Sequence, residues 1–246
     1  MAPLTEAEET LTASESVYRQ LRHDIIDFTL QPGEALSENS LAAQMNTSRA
    51  PIREAIARLV EEQCVEVYPQ RGTQVSLISI PRVNQIVFMR TVLEEDVLRT
   101  LCQQGITDEQ MAALEESLRL QRKHCEAHET ERLLDEDTNM HKLMYGFLGR
   151  EETWDTYSFI NCDMLRIRQL QIMTYSYETH MISVGSWENH LTEHRMMLDS
   201  LRRRDADALS VINRQHLGFI ARDGDYLRRI YPQYFEASEP NEYLAF

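Results

Sequence analysis

The sequence predicts a mainly α protein in two parts, a small α+β unit followed by an all-helical antiparallel bundle. Three observations carry this. Helix breakers are scarce, with 8 Gly and 7 Pro in 246 residues, in a chain rich in Leu, Glu, Arg and Met, all good helix formers. Strand-like alternation is confined to Val65-Glu66-Val67-Tyr68 and the return from Thr73 to Ser76, where apolar and polar residues change places with a period of two. From Pro81 onward, long helical patterns are broken near Gly105, Gly149 and Gly185, the punctuation expected between helices.

Taken in order, residues 1–14 are polar and acidic and read as a disordered lead-in. A helical pattern starts near Ser16 and runs through Val17, Leu21, Ile25, Ile26 and Leu30. Gln31-Pro32-Gly33 ends it, because proline cannot continue a helix and glycine supplies a turn. A short helix follows from Ser37 through Leu41, Ala42 and Met45, with Ser37 a good N-cap. Ser48 caps a third helix, whose early Pro51 is tolerated in the first turn. Ile52, Ala55, Ile56, Leu59 and Val60 form its apolar stripe. Pro69-Gln70-Arg71-Gly72 then turns a hairpin. Beyond it, helices are expected at about 82–104, 107–129, 131–148, 150–177, 186–203 and 206–230 by the same reading of periodicity. The boundaries that follow are 15–78 for the first domain, 81–230 for the second and 231–246 for a C-terminal tail.

Composition narrows the function classes. A net charge of −15 argues against coating nucleic acid or anionic membrane by bulk attraction. Residues 15–80 carry six Arg against nine acids, so any DNA contact must come from a few placed arginines. No apolar run approaches the roughly 20 residues of a membrane span, and the first twenty residues do not read as a secretory signal. Cys64, Cys102, Cys125 and Cys162 lie far apart with no CxxC, so neither a disulfide framework nor a zinc ribbon is indicated. A cytoplasmic location is expected.

Helix, short helix, tight turn, helix and hairpin is the order of a winged helix-turn-helix, whose last helix enters the major groove. Arg49 and Arg53 are four apart and share a face opposite the apolar stripe. Such a pair can chelate guanine O6 and N7 or grip phosphates. The amides beside Ser48 favour a phosphate as well, and Arg71-Gly72 sits at the hairpin tip. The stretch from Leu36-Ser37-Glu38 through Ser48-Arg49-Ala50-Pro51-Ile52-Arg53-Glu54-Ala55, Leu59 and Gln70-Arg71-Gly72, led by Gln31-Pro32-Gly33, resembles the DNA-binding domain of the GntR family of bacterial regulators. Asn39 stands where some relatives carry an arginine. The resemblance implies DNA contacts from Ser48, Arg49, Ala50, Arg53, Arg71 and Gly72.

The helical part holds a second constellation. Asp137 and His141 lie at i and i+4 on one helix face, His190 and His194 repeat that spacing later, and His216 lies on the final long helix. Side chains from facing helices can converge inside a bundle to bind a metal, and one carboxylate with three imidazoles suits Zn, Ni, Mn or Fe. By spacing alone, core histidines placed by chance remain an equal reading. This region resembles the FCD effector-binding domain of the FadR-like branch of that family, and the whole resemblance covers about residues 15–222. It implies Asp137, His141, His194 and His216 as metal ligands, with Arg90, Glu94, His190 and Asn213 lining an effector pocket. Met140 replaces a common Phe, a packing swap. The function implied is a transcriptional regulator, a repressor and a homodimer, whose affinity for double-stranded operator DNA is set by a small carboxylate or sugar acid at a divalent metal. It is not expected to be an enzyme. The alternatives are a winged-helix protein-binding adaptor with structural histidines and, third, a helical-bundle metalloenzyme.

Overall fold

The computed structural model describes residues 11–70, 72–175 and 187–237. The chain forms two compact units that divide between Ser76 and Leu77.

The first unit opens with α1 (Ala13–Ile26), which begins earlier than Ser16 and takes up the end of the expected lead-in. The reason is a cap: the Thr12 hydroxyl accepts from the Glu15 N–H at 3.1 Å. The helix also stops short of Leu30. Asp27 accepts from the N–H and hydroxyl of Thr29 at 2.9 and 3.0 Å, and Phe28, at φ 69°, turns back and is buried. This local Asx turn ends the helix before Pro32 can. After β1 (Ala35–Leu36) comes α2 (Glu38–Gln44), capped as expected by Ser37 through the Ser40 N–H. Next, α3 (Arg49–Glu61) buries Ile52, Ala55, Ile56 and Leu59. Ile25 of α1 and Ile52 and Leu59 of α3 have no exposed surface, and each full burial stabilises by about 1.5–3 kcal/mol.

The hairpin is β2 (Val65–Tyr68) against β3 (Gly72–Val75), with Val65 opposite Val75 and Tyr68 opposite Gly72. The sheet order is β1-β3-β2. Two residues of β1 are too short to show any period, so this third strand was not expected from the sequence. Glu62, at the end of α3, is buried and ties it to α1. Its carboxylate accepts from the Tyr18 hydroxyl and from Arg22 Nε at 2.8 Å, while the Arg58 guanidinium lies 3.5 Å over the Tyr18 ring.

The second unit contains α4 (Ile80–Gln104), α5 (Asp108–Glu126), α6 (Thr130–Gly146), α7 (Glu151–Phe159), α8 (Cys162–Tyr175), α9 (Trp187–Arg203) and α10 (Ala206–Ile230). The single helix expected at 150–177 is therefore two. The break at Ile160-Asn161 has no Gly or Pro to announce it. There the Leu165 N–H bonds the Asn161 carbonyl at 3.0 Å, which puts Asn161 at the cap position of α8, a place asparagine favours. Gly105, at φ 84° and ψ 144°, closes α4 in a conformation open mainly to glycine. The tail is docked at its start: Ile78 donates to the Tyr234 carbonyl at 2.9 Å, Glu236 donates to Ile78 at 3.0 Å, and Phe235 is buried. Residues 238–246 of the tail lie outside the described residues. Among the described residues, no helix is long and apolar enough to cross a membrane.

Candidate functional site

On the first unit, α3 presents Ser48, Arg49, Ala50 and Arg53 at the surface. Ser48 occupies the N-cap position, yet its hydroxyl makes no capping bond. The first-turn amides are thus left without that side-chain acceptor, and a phosphate can take its place. Arg49 and Arg53 do share a face, and both bond Glu38, a pairing that the sequence pattern did not show. Glu38 Oε2 accepts from Arg49 Nη2 at 2.9 Å and from Arg53 Nε at 2.7 Å, and these bonds hold its carboxyl below the usual carboxylate range. Gly72 opens β3 at φ 95°, the backbone that a tight wing tip requires. Arg71 lies outside the described residues.

In the second unit Asp137 and His141 of α6, His194 of α9 and His216 of α10 come together. Each offers one ligand atom, and these atoms lie within 4.8 Å of one another, all in buried side chains. Long-range packing makes this possible: α10 runs against α4 and α9, and α5 against α6 and α9. Burial first, and then the neighbouring imidazoles, push His194 and His216 well below the usual imidazole range. Their rings are therefore neutral near pH 7 and have lone pairs to give.

Two of these rings, His194 and His216, are also oriented. Gln121 donates through Nε2 towards the Glu136 carbonyl at 3.4 Å, so its Oε1 accepts from His194 Nδ1 at 2.8 Å. Glu193 Oε2 lies 2.9 Å from His216 Nδ1, and Glu94 Oε2 lies 3.0 Å from His141 Nδ1. With acceptors on the Nδ1 side, His194 and His216 carry the proton on Nδ1 and leave Nε2 bare, whereas His141 Nδ1 makes no hydrogen bond to Glu94 despite its proximity. Yet the Nε2 atoms of His194 and His216 face each other at 3.2 Å, while His141 Nε2 and Asp137 Oδ1 have no hydrogen-bond partner. Two facing lone pairs, beside an unpartnered imidazole nitrogen and a carboxylate oxygen, fit a shared cation. Carboxylates and amides on the far ring nitrogens are the usual support for metal-binding histidines. A buried cluster able to coordinate a metal ion is thus present, and these four residues would hold it.

Around the cluster lie polar groups with spare bonding capacity. Arg90 Nε donates to Glu94 Oε1 at 2.6 Å, but Arg90 Nη2 has no partner. Burial alone would raise the Glu94 carboxyl; Arg90 and His141 outweigh it and hold it at about 2. Both side-chain atoms of Asn213, Nδ1 of His190 and the hydroxyl of Tyr145 are buried without partners. His190 is held at about 4, by burial first and then by Arg168. The expected pocket residues Arg90, Glu94, His190 and Asn213 are therefore all buried in this unit.

Sequence reasoning missed Gln121, Glu193 and Arg168. Arg168 of α8 is buried and donates to Asp137 Oδ2, with its own Nε and Nη2 left over. Burial would raise Asp137; Arg168 outweighs that and holds it well below its usual range. The available signal was Arg166 and Arg168 set among Met164, Leu165, Ile167 and Leu170, since cations on an otherwise apolar helix are rarely there without partners.

Comparison with known proteins agrees with this architecture. Residues 13–75 match the model of the bacterial regulatory proteins of the gntR family, and residues 85–219 match the FCD domain. The chain belongs to the GntR family, with an FCD domain. It is 30% identical over 225 residues to the HTH-type transcriptional repressor RspR of Escherichia coli (strain K12), spanning 92% of this chain and 94% of the relative. It is 22% identical to the gluconate operon transcriptional repressor of Bacillus licheniformis, over 77% and 76% of the two chains. Among solved structures, E. coli McbR/YncC superposes with a TM-score of 0.69 at 20% identity, covering 92% of this chain and all 100% of that one. A GntR regulator from Rhodococcus sp. RHA1 gives 0.66 at 21% identity, over 90% and 98%. Both share the fold. This GntR/FCD protein is a DNA-binding transcriptional regulator.

Proposed function

We propose that the protein is a repressor of the FadR-like branch, in which residues 15–78 read an operator and residues 81–230 sense a small carboxylate or sugar acid at a divalent metal. Ser48, Arg49, Ala50, Arg53, Arg71 and Gly72 make the DNA contacts. The observation that carries the sensing half is the pair of bare Nε2 atoms 3.2 Å apart beside the unpartnered oxygen of Asp137. Asp137, His141, His194 and His216 hold the metal, and their ligand chemistry suits Zn, Ni, Mn or Fe. When bound, the ion supplies a Lewis-acidic centre with positions open to an effector oxygen.

The chain's own residues do the rest. Arg90 Nη2 is a cationic donor for the effector carboxylate, and Glu94 fixes that guanidinium. Asn213 can both donate and accept, and His190 Nδ1 adds a third contact, which suits hydroxyl groups on the acid. Effector binding favours one of two arrangements of the helical unit, and operator affinity follows by linkage. A repressor reading agrees with the names of the relatives from E. coli and B. licheniformis.

A homodimer is part of the proposal, because one recognition helix reads only a few base pairs and two-fold symmetry doubles the site. Phe88 and Val92, 69% and 52% exposed at i and i+4 on α4, give that unit an apolar face suited to a second copy. Light scattering on the full chain checks this by mass.

The experiment for the sensing mechanism replaces Asp137 and His194 by Ala. Metal content by elemental analysis should fall to background, and a panel of hydroxy and sugar acids should no longer shift operator affinity. An effector response that survives without bound metal rules out chelation as the mechanism.

A further inference from the structure

Arg49 and Arg53 point at the same carboxylate oxygen. Glu38 Oε2 accepts from Arg49 Nη2 at 2.9 Å, from Arg49 Nε at 3.3 Å and from Arg53 Nε at 2.7 Å. Arg49 is the first residue of α3, Arg53 lies one turn on, and Glu38 is the first residue of α2. The two arginines remain 53% and 59% exposed, so they are reachable from solvent while paired. An oxyanion gripped by two guanidinium groups is the chemistry of a DNA phosphate oxygen between the same side chains. Glu38 therefore occupies Nε and Nη2 of Arg49 and Nε of Arg53, donors that a phosphate oxygen could otherwise take.

We propose that Glu38 is a built-in phosphate mimic that sets DNA specificity. It holds Arg49 and Arg53 off non-specific backbone and yields only to an operator that offers guanine edges as well as phosphates. The charge of the unit supports this. With six Arg against nine acids in residues 15–80, little generic attraction remains to displace the carboxylate. The pair is exposed and therefore weak, so it biases the competition and does not block it. Non-specific affinity falls with salt by a slope of about 0.9 per neutralised phosphate. Two arginines freed from Glu38 should steepen that slope by roughly one to two.

The test uses the full chain with Glu38→Gln, a random-sequence duplex, and an operator duplex enriched by the unmodified protein from a random pool. Binding is followed by fluorescence anisotropy across a potassium chloride series. Random-duplex affinity at low salt should rise about tenfold, with a steeper salt slope, as expected for added phosphate contacts. The ratio of operator to random affinity should fall. Glu38→Asp keeps the charge but withdraws the carboxylate by one methylene, and should move random-duplex affinity in the same direction by less. Glu61→Gln removes an equal charge from the exposed far end of α3 and should change random affinity less than about twofold, since it frees no phosphate-binding donor. Unchanged affinity and slope for Glu38→Gln would overturn the proposal. So would an equal effect from Glu61→Gln, which would reduce it to net charge, or loss of both operator and random binding with the fold intact by circular dichroism.

Discussion

Asp137→Asn tests the buried Asp137–Arg168 pair beside the candidate metal cluster. Asp137 is 0% exposed and Arg168 2% exposed. Removing the charge of one partner strands the other in a low-dielectric interior, at a cost of about 3–5 kcal/mol. Asparagine keeps an oxygen acceptor for Arg168, which gives back about 1 kcal/mol. The net loss expected in metal-free protein is about 2–4 kcal/mol, or roughly 5–15 °C in melting temperature at about 2–4 °C per kcal/mol for this size of chain. Asp137→Asn combined with Arg168→Met removes both charges and should recover most of the loss, giving a coupling energy of about 2 kcal/mol or more. Calorimetry after dialysis against EDTA reads these values. Zinc at about 100 times its dissociation constant should then stabilise the unmodified protein by about 2.7 kcal/mol and the double variant far less. A single-variant cost below about 1 kcal/mol, or strictly additive costs, would show that the two charges do not depend on each other. Equal zinc stabilisation of the double variant would show that Asp137 is not a ligand.

Three further outcomes are expected. Arg53→Ala should abolish binding to the selected operator in gel shifts while leaving the fold unchanged by circular dichroism; an unaltered affinity counts heavily against α3 as the reading helix. Glu62→Gln, which weakens the bonds from Tyr18 and Arg22, should destabilise the first unit by about 1–3 kcal/mol, with a loss under about 0.5 kcal/mol in urea melts arguing against the network. The third concerns pH. Burial holds His190 at about 4, and His194 and His216 well below the usual range, so in metal-free protein they stay neutral while the unfolded chain takes up protons below about 6.5. The stability they contribute is full above that pH and is lost as pH falls, with a slope approaching about 4 kcal/mol per pH unit for three protons. The raised carboxyl of Glu193 offsets part of this at the acid end. Urea midpoints that do not drop between about pH 7 and about pH 5.5 would contradict neutral, buried rings.

Much of the first unit was legible in the sequence because its signals are local. Ser37 and the Ile52, Ala55, Ile56 and Leu59 stripe specify their helices over a few turns. The misplaced ends of α1 and the break between α7 and α8 arise from side-chain bonds of Thr12 and Asp27 and from the cap position of Asn161, which a propensity reading weighs only weakly. The short β1 exists only because β3 is there to pair with it.

By itself the sequence determined the fold class, most of the helices, the family resemblance, and which residues were candidates for metal-ligand chemistry. Spacing four apart puts Asp137 and His141 on one face whatever the rest of the chain does. Only the tertiary structure decided that this face meets His194 and His216, that Gln121, 73 residues from His194, sets its tautomer, and that Arg168 pairs with Asp137. It likewise decided that Arg49 and Arg53 share Glu38. The physical reason is common to all of these. Periodicity encodes the faces of one element, whereas ring orientation, charge pairing and the spare bonds of buried groups depend on neighbours brought together by packing over long sequence distances.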